Sequence, residues 1–228
     1  LFRGHKQPHI PADLGFYDLR VPETREAQAQ LAKEAGVEGF CYWHYWFGNG
    51  KRLLERPFTE VVSSGKPDFP FCLAWANHSW YKKQWDLKAK GKDILLIEQK
   101  YPGVKDYEDH FYALLEAFKD KRYIKVNGKL FFGIYSALTF EDIRTFISTW
   151  RRLAKDNGLN DFYFVAQDAE SRDKEKILAL GIDAVYNNNF TTHHNLPLIK
   201  KAWLLFRRKY LHQPTVFEYK DVVKDMII

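Results

Sequence analysis

Short apolar runs alternate along the chain with longer stretches in which apolar residues recur every three or four positions. The runs are apolar almost throughout, which is typical of strands buried in a parallel sheet, and the longer stretches have the period of amphipathic helices. The runs predict five main strands, at 39–47, 69–76, 130–135, 162–166 and 183–186. The other stretches predict helices at 22–35, 53–64, 106–119, 141–157, 174–180 and 198–210.

Strands that alternate with helices in this way predict an α/β fold, with a parallel sheet covered by helices. A doubly wound sheet and part of a (β/α)8 TIM-type barrel both fit the order. No Gly-rich loop follows any predicted strand, which removes the commonest reason to choose a nucleotide-binding sheet. The pattern leaves both architectures open, and we predict a single domain over residues 1–228. A full barrel commonly needs about 250 residues, so we expect a fragment of a longer protein.

Polar and aromatic side chains follow several predicted strands at their carboxyl ends, where a β/α barrel builds its site. Aromatic rings stack on the apolar faces of sugars, while amide, imidazole and carboxylate groups bind sugar hydroxyls. Aromatic residues make up 17% of the chain, and many stand beside polar ones. We predict a carbohydrate pocket whose candidate residues are Tyr42, His44, Trp46, Asn77, His78, Trp80, Gln167 and Asn187.

The candidates for catalysis are few. Asp168 and Glu170 are two residues apart, which on a strand places both side chains on one side. Two carboxylates that flank the anomeric carbon are the usual means of breaking a glycosidic bond. His78 could transfer a proton. The alternatives are that Glu170 only caps the next helix and that His44 and His78 are bonded to their neighbours.

The charge of the chain bears on its partners, and its cysteines bear on the cellular compartment. The net charge of +6 is spread out, so we predict no binding to nucleic acid. The stretch Lys200–Lys209 is the exception, and it predicts either peripheral contact with a membrane or an outer helix with a solvated basic face. Cys41 and Cys72 lie in apolar runs and predict buried free thiols, which suits a reducing cytoplasm. No metal-ligand spacing occurs, and we predict no metal and no cofactor.

Several strings, in order, resemble the WbsX-type family, whose barrel is like that of glycoside hydrolase family 99. The chain opens with Arg-Gly-His-Lys-Gln-Pro at 3–8, and Gly-Phe-Cys-Tyr-Trp-His-Tyr-Trp-Phe follows at 39–47. Phe-Pro-Phe-Cys-Leu-Ala-Trp-Ala-Asn stands at 69–77, and Tyr-Ile-Lys-Val-Asn-Gly-Lys at 123–129. The resemblance implies a (β/α)8 TIM-type barrel in a bacterial protein of O-antigen or lipopolysaccharide biosynthesis. Its ligand would be an oligosaccharide or polysaccharide, free or lipid-linked.

The chain departs from this family in three ways. The family usually begins with a strand that this sequence lacks, so we expect the first barrel strand, and strands after residue 228, to be missing. His78 stands where the family often has Glu. The glycosidase relatives carry their catalytic carboxylates in a Glu-Trp-x-Glu motif that does not occur here, so the catalytic pair is unassigned.

Family members are named glycosyltransferases although their fold resembles glycosidases. A glycosidase-like enzyme, a sugar-transferring enzyme and a glycan-binding module without catalysis therefore all stay open.

Overall fold

The computed structural model describes residues 11–82, 93–168, 172–187 and 197–213. The chain forms two compact units, one of Ala12–Asn187 and the other of Leu1–Pro11 with Asn188–Ile228. In chain order the elements of the first unit are α1 (Pro22–Glu34), β1 (Phe40–His44), α2 (Arg56–Ser64), β2 (Phe71–Trp75), β3 (Trp80–Lys82), β4 (Ile94–Ile97), α3 (Val104–Lys119), β5 (Lys125–Val126), β6 (Lys129–Ile134), α4 (Ile143–Asp156), β7 (Phe162–Gln167), α5 (Lys174–Leu178) and β8 (Ala184–Tyr186). The second unit contains α6 (Leu198–Tyr210).

The main sheet has the strand order β1-β2-β6-β7-β8, and each neighbouring pair is parallel. The order in space is therefore the order along the chain. A doubly wound sheet reverses its order at a switch point, and no reversal occurs among these five strands. The α/β class and the parallel sheet are confirmed, and the sequential order favours the barrel over the doubly wound alternative. Closure into a complete eight-stranded barrel stays a prediction.

Two short antiparallel additions modify the predicted pattern. The Asn127-Gly128 turn joins β5 to β6, with positive φ angles of 50° and 79° at its two residues. Such a turn matches the twist of a hairpin. The second addition pairs β3 with β4. A polar, lysine-rich stretch begins at Tyr81 in the sequence, yet the structure continues β3 to Lys82. The helix predicted from Leu53 begins only at Arg56.

The two faces of the sheet differ in what covers them. Helices α3 and α4 pack on one face, which we call the helix-covered face. Its core is strongly aromatic, because α4 repeats large apolar residues at three- and four-residue intervals and the strands supply alternate side chains to meet them. The fully buried members include Trp75, Phe111, Phe118, Phe132, Phe146, Trp150, Phe162 and Phe164.

The opposite face, which we call the open face, carries the other half of the strand residues. Register partners on neighbouring strands share a face, so Cys41 lies beside Cys72 and Trp43 beside Ala74. Further along, Ala74 is paired with Gly133 and Gln167 with Tyr186. Both cysteines are free. Cys72 is buried as predicted, whereas Cys41 is exposed, which corrects the expectation that both thiols are buried.

Within the described residues, no helix combines the length and the apolar character needed to cross a bilayer.

Candidate functional site

The carboxyl ends of the five parallel strands lie side by side, as the pocket hypothesis requires. The backbone N–H of Ala76 donates to the carbonyl of His44 at 2.9 Å, just past the ends of β2 and β1. Tyr135 N–H donates to Trp75 O at 3.0 Å, and Asp168 N–H donates to Tyr186 O at 2.9 Å. The segments that follow β1 and β2 are therefore adjacent.

A group of aromatic side chains occupies the open face at this end of the sheet. The ring of Tyr135 stands between that of Trp43, at 5.8 Å and edge-on, and that of His78, at 4.9 Å. Trp43 is 47% exposed and Tyr135 is 38% exposed, so part of each ring is accessible to a ligand. We call these three residues the open-face cluster. They offer apolar ring surface beside polar atoms, which is the combination that a sugar requires.

Tyr186, on β8, extends the same surface. It is 38% exposed, and burial raises its pKa, with smaller contributions from Cys41 and Tyr135. Tyr186 is the register partner of Gln167 on β7, so it lies on the same face of the sheet as the open-face cluster. Its hydroxyl is neutral near pH 7 and can both donate and accept a hydrogen bond.

Asn77 holds the loop after β2 against the end of β6. Its amide nitrogen donates to Tyr101 Oη at 3.0 Å and to Ser136 O at 2.9 Å, and its amide oxygen accepts from Ser136 N–H at 2.8 Å. The Tyr101 hydroxyl in turn donates to Asn77 O at 3.1 Å. Asn77 is only 1% exposed. Its side chain therefore positions the neighbouring residues His78 and Tyr135 and is not presented to a ligand.

His78 itself is exposed, beside the ring of Tyr135. Partial burial lowers its pKa, so the imidazole is neutral near pH 7. A neutral imidazole has one donor and one acceptor nitrogen, and both suit sugar hydroxyls.

Three of the predicted binding residues lie on the helix-covered side instead. His44 and Trp46 are buried, and Tyr42 is half-buried against the rings of Phe58 and Phe71. The reason is strand alternation, which sends Tyr42 and His44 to the face opposite Trp43. We therefore remove these three from the proposed binding surface.

His44 belongs to a buried polar group instead. Its Nε2 lies 2.8 Å from Nε2 of His110 on α3, and the ring of Trp46 stacks on that of His110 at 4.6 Å with an interplanar angle of 4°. Trp46 Nε1 donates to Asp106 Oδ2 at 2.9 Å. Burial lowers the pKa of His44 to about 3, with a smaller effect of Arg52, and burial also lowers the pKa of His110 well below its usual value. Both imidazoles are thus neutral.

One cavity borders this histidine pair rather than the open-face cluster. It is a groove of about 640 Å³ between α2 and α3, and His44 forms part of its wall. Its remaining lining comes mostly from side chains of the two helices, such as Phe58, Val62 and Leu114. Because it lies on the helix-covered side, away from the exposed strand-end aromatics, we do not assign the carbohydrate site to it.

The remaining binding candidates lie at the edges of this region. Trp80, the first residue of β3, packs edge-on against the rings of Tyr45 and Phe47, each at 5.3 Å. It is half-buried and belongs to a separate aromatic group from the open-face cluster. Gln167 lies at the end of β7, on the open face, and is buried, whereas Asn187 is exposed just after β8.

The two carboxylate candidates have different outcomes. Asp168 is 4% exposed, and its Oδ2 accepts a hydrogen bond from the backbone N–H of Asp173 at 3.1 Å, just before α5. It therefore stabilises the loop that leads into that helix. Glu170 lies outside the described residues.

Sequence reasoning missed Trp43, Tyr135 and Tyr186 as binding candidates. All three follow from one signal, because Trp43 alternates with Tyr42 and His44 along β1 and must face the other way. Once one buried residue shows which side of β1 faces the helices, the parallel register shows which residues of the other strands lie on each face.

Comparison with known proteins establishes the family. A family model described as Glycosyltransferase WbsX matches residues 1–228. The chain belongs to the glycosyltransferase WbsX family. It is similar to two proteins named uncharacterized protein WxcX from Xanthomonas campestris pv. campestris. The identity is 34% over 232 residues with the protein of strain B100, and 38% over 186 residues with that of strain ATCC 33913. These alignments cover 99% and 80% of this chain but only 31% and 25% of the relatives, so the chain spans less than a third of their length.

Solved structures bear on the fold. A glycoside hydrolase-like protein matches with a TM-score of 0.56 at 14% identity, over 80% of this chain and 54% of that one. The GH99 endo-alpha-mannosidase from Bacteroides thetaiotaomicron matches with a TM-score of 0.49 at 13% identity, over 94% of this chain and 61% of that one. At such identity, the first likeness supports the α/β fold of the WbsX chain and says nothing of its activity.

Proposed function

We propose that this WbsX-family chain binds a glycan at the carboxyl ends of its parallel strands and acts on glycosidic bonds in bacterial surface-polysaccharide biosynthesis. The observation that carries the proposal is the open-face cluster of Trp43, His78 and Tyr135, with Tyr186 on the same face of the sheet. Accessible aromatic rings on a soluble domain are costly to leave in water unless they bind something. Family membership supports carbohydrate as the class of ligand.

The site fits a sugar better than a purely apolar ligand. The Trp43 and Tyr135 rings are nearly perpendicular, at 76°, so they form two walls of a corner rather than one flat patch. Neutral His78 and the Tyr186 hydroxyl supply hydrogen bonds at its border. Sugar rings present apolar C–H faces and polar edges, so each wall has a matching side of the ligand.

The test of binding is calorimetry on the full-length protein with the O-polysaccharide of the bacterium that encodes it. Trp43→Ala is expected to weaken binding about tenfold or more, because removing an aromatic anchor commonly costs more than 1 kcal/mol. Trp203→Ala is the matched control, since Trp203 is an exposed tryptophan of the other unit. Equal affinities for wild type and Trp43→Ala, with the folded state intact by circular dichroism, would remove the open-face cluster from the site.

One observation favours a binding module without catalysis. Among the described residues that immediately follow the five parallel strands, Asp168 is the carboxylate, and it is buried and bonded to the Asp173 backbone. A working glycosidase requires two carboxylates that reach the substrate. The catalytic pair of an active enzyme would therefore have to come from residues other than Asp168.

Product analysis distinguishes hydrolysis, sugar transfer and binding without catalysis. Hydrolysis of the polysaccharide yields new reducing ends, and transfer from a nucleoside-diphosphate sugar yields free nucleoside diphosphate. Binding without either product would assign the module function.

We propose that the protein acts in the cytoplasm on a lipid-linked glycan, and the two free cysteines are compatible with a reducing compartment. Activity only on lipid-free polysaccharide would contradict the lipid-linked part of the proposal.

A further inference from the structure

The helix α6 exposes its apolar side. Trp203 is 54% exposed and Tyr210 61% exposed, and Leu198, Ile199 and Phe206 are also exposed. The rings of Trp203 and Phe206 are stacked at 5.6 Å, and that of Phe206 lies 5.1 Å from Tyr210. These aromatic residues form a continuous ridge along the helix, which we call the aromatic ridge.

The opposite side of α6 is the less exposed one. At 100° per residue, Leu198, Ile199, Phe206, Tyr210 and Trp203 all fall within one broad arc. The half-buried residues of the helix occupy the other side, and they are Lys201, Leu204 and Arg207. A helix of a soluble domain normally turns its apolar side inward, and α6 does the reverse.

The positive charge of the protein is concentrated in this helix. Of the 35 Lys and Arg residues, five lie in α6, where there is no Asp or Glu, and the other 30 are balanced by all 29 acidic residues. The stretch without any acidic residue extends from Ala184 to Phe217. Exposed Lys200 follows Trp203 around the helix, and Lys209 lies over the ring of Tyr210 at 5.4 Å.

We infer that α6 is a docking surface for an anionic lipid bilayer. The cations contact the lipid phosphates, while the aromatic ridge enters the interface between headgroups and acyl chains. Tryptophan and tyrosine favour this depth because one end of each ring system is apolar and the other is polar. With 13 residues, α6 is about 20 Å long, so it lies on the bilayer rather than crossing it.

Charge complementarity selects this occupant over a second copy of the chain. Two α6 helices would bring ten cations together without a carboxylate on either helix, and this repulsion opposes association. A phospholipid surface with acidic headgroups supplies both the negative charge and the apolar layer. The inference is independent of the glycan site, because α6 and the open-face cluster belong to different units.

The test is sedimentation of the full-length protein with vesicles. One set of vesicles is phosphatidylcholine alone, and the other is phosphatidylcholine mixed with phosphatidylglycerol. Binding is expected to the mixed vesicles and to fall at least about tenfold in Lys200→Gln/Lys209→Gln, since each cation near such a surface adds several-fold to the affinity. Raising the salt concentration is expected to release the protein.

A matched control removes the same charge elsewhere. Lys121→Gln/Lys155→Gln changes two exposed lysines of the other unit and is expected to leave vesicle binding unchanged. Trp203→Ser is expected to weaken binding even at low salt, because it interrupts the aromatic ridge. Quenching of tryptophan fluorescence by brominated lipid, lost in Trp203→Phe, would place this ring in the bilayer.

Three outcomes would overturn the inference. One is equal binding of wild type and Lys200→Gln/Lys209→Gln to the mixed vesicles. Another is the absence of any vesicle binding. The third is a concentration-dependent dimer, measured by analytical ultracentrifugation, that Trp203→Ser abolishes, because the aromatic ridge would then be covered by a second copy.

Discussion

Acidification is expected to destabilise the protein through the buried pair His44 and His110. Both side chains are neutral in the folded state, and burial holds the pKa of His44 at about 3, against 6.5 for an exposed histidine. Between about pH 3 and pH 6.5, the imidazole of His44 is protonated in the unfolded chain and neutral in the folded chain. The stability that the neutral imidazole contributes is therefore present above about pH 6.5 and is lost as the pH falls below it.

The size of the effect follows from linkage. Each such histidine costs up to about 1.4 kcal/mol per pH unit, so His44 alone destabilises the fold by about 2 kcal/mol between roughly pH 7 and pH 5. Burial also lowers the pKa of His110 well below its usual value, so this residue adds to the loss in the same direction. The loss from His44 alone is already a sizeable part of the roughly 5–15 kcal/mol that stabilises a typical domain.

The decisive variant replaces both rings by apolar side chains of similar shape, His44→Leu with His110→Phe. Removing both partners of a buried hydrogen bond can be nearly neutral, and the new phenyl ring keeps the stack on Trp46. Little change is therefore expected near pH 7, whereas the loss on going to pH 5 should shrink by at least about 2 kcal/mol.

Urea unfolding at several pH values and constant ionic strength, followed by near-ultraviolet circular dichroism of the aromatic core, measures this difference. His212→Gln serves as the control, because His212 is exposed and lies in the other unit. The reasoning fails if the double variant loses as much stability at low pH as the wild type. It also fails if the wild type is equally stable at both pH values.

Three further substitutions test the packing of the sheet. Trp150→Ala removes a fully buried ring and is expected to cost about 3–5 kcal/mol in urea unfolding, and a loss below about 1 kcal/mol would contradict its place in the core. Gly133→Ala places a Cβ 2.7 Å from that of Ala74 and should cost about 1–3 kcal/mol, so an unchanged melting temperature would show that the strands are further apart. Arg122→Met leaves buried carbonyls and the Asp120 carboxylate without their partner and should cost about 3 kcal/mol in urea unfolding, unless that ion pair is absent.

The elements could be predicted because their periodicity is local. The bounds of α6 and the starts of α1 and β7 agree with the sequence pattern, since amphipathic spacing and apolar runs are visible without tertiary information. The region around β3 was harder. Tyr81 and Lys82 stand in a polar, lysine-rich segment, and their strand exists because they pair with β4, a partner that propensity alone does not reveal.

The sequence also did not reveal which face of the sheet each site residue lies on, because long-range contacts decide it. Along β1 the side chains are apolar or aromatic on both faces, so alternation is clear but its direction is not. His44 is buried because its partner, His110, lies 66 residues further along the chain. A contact of that kind fixes which residues of β1 face the helices, and Trp43 is left on the open face as a consequence.

The exposure of each open-face aromatic residue depends on barrel closure to a degree that its strand's position in the sheet decides. Trp43 lies on β1 and Tyr186 on β8, the two edge strands of the described sheet, so their exposure depends on what stands beside those edges. Tyr135 follows β6, the central strand, and contacts both Trp43 and His78. Ala74 and Gly133, which precede the ends of β2 and β6, offer no bulky side chain on that face. Tyr135 is therefore the residue whose contact with a glycan should persist whether the sheet is open or closed.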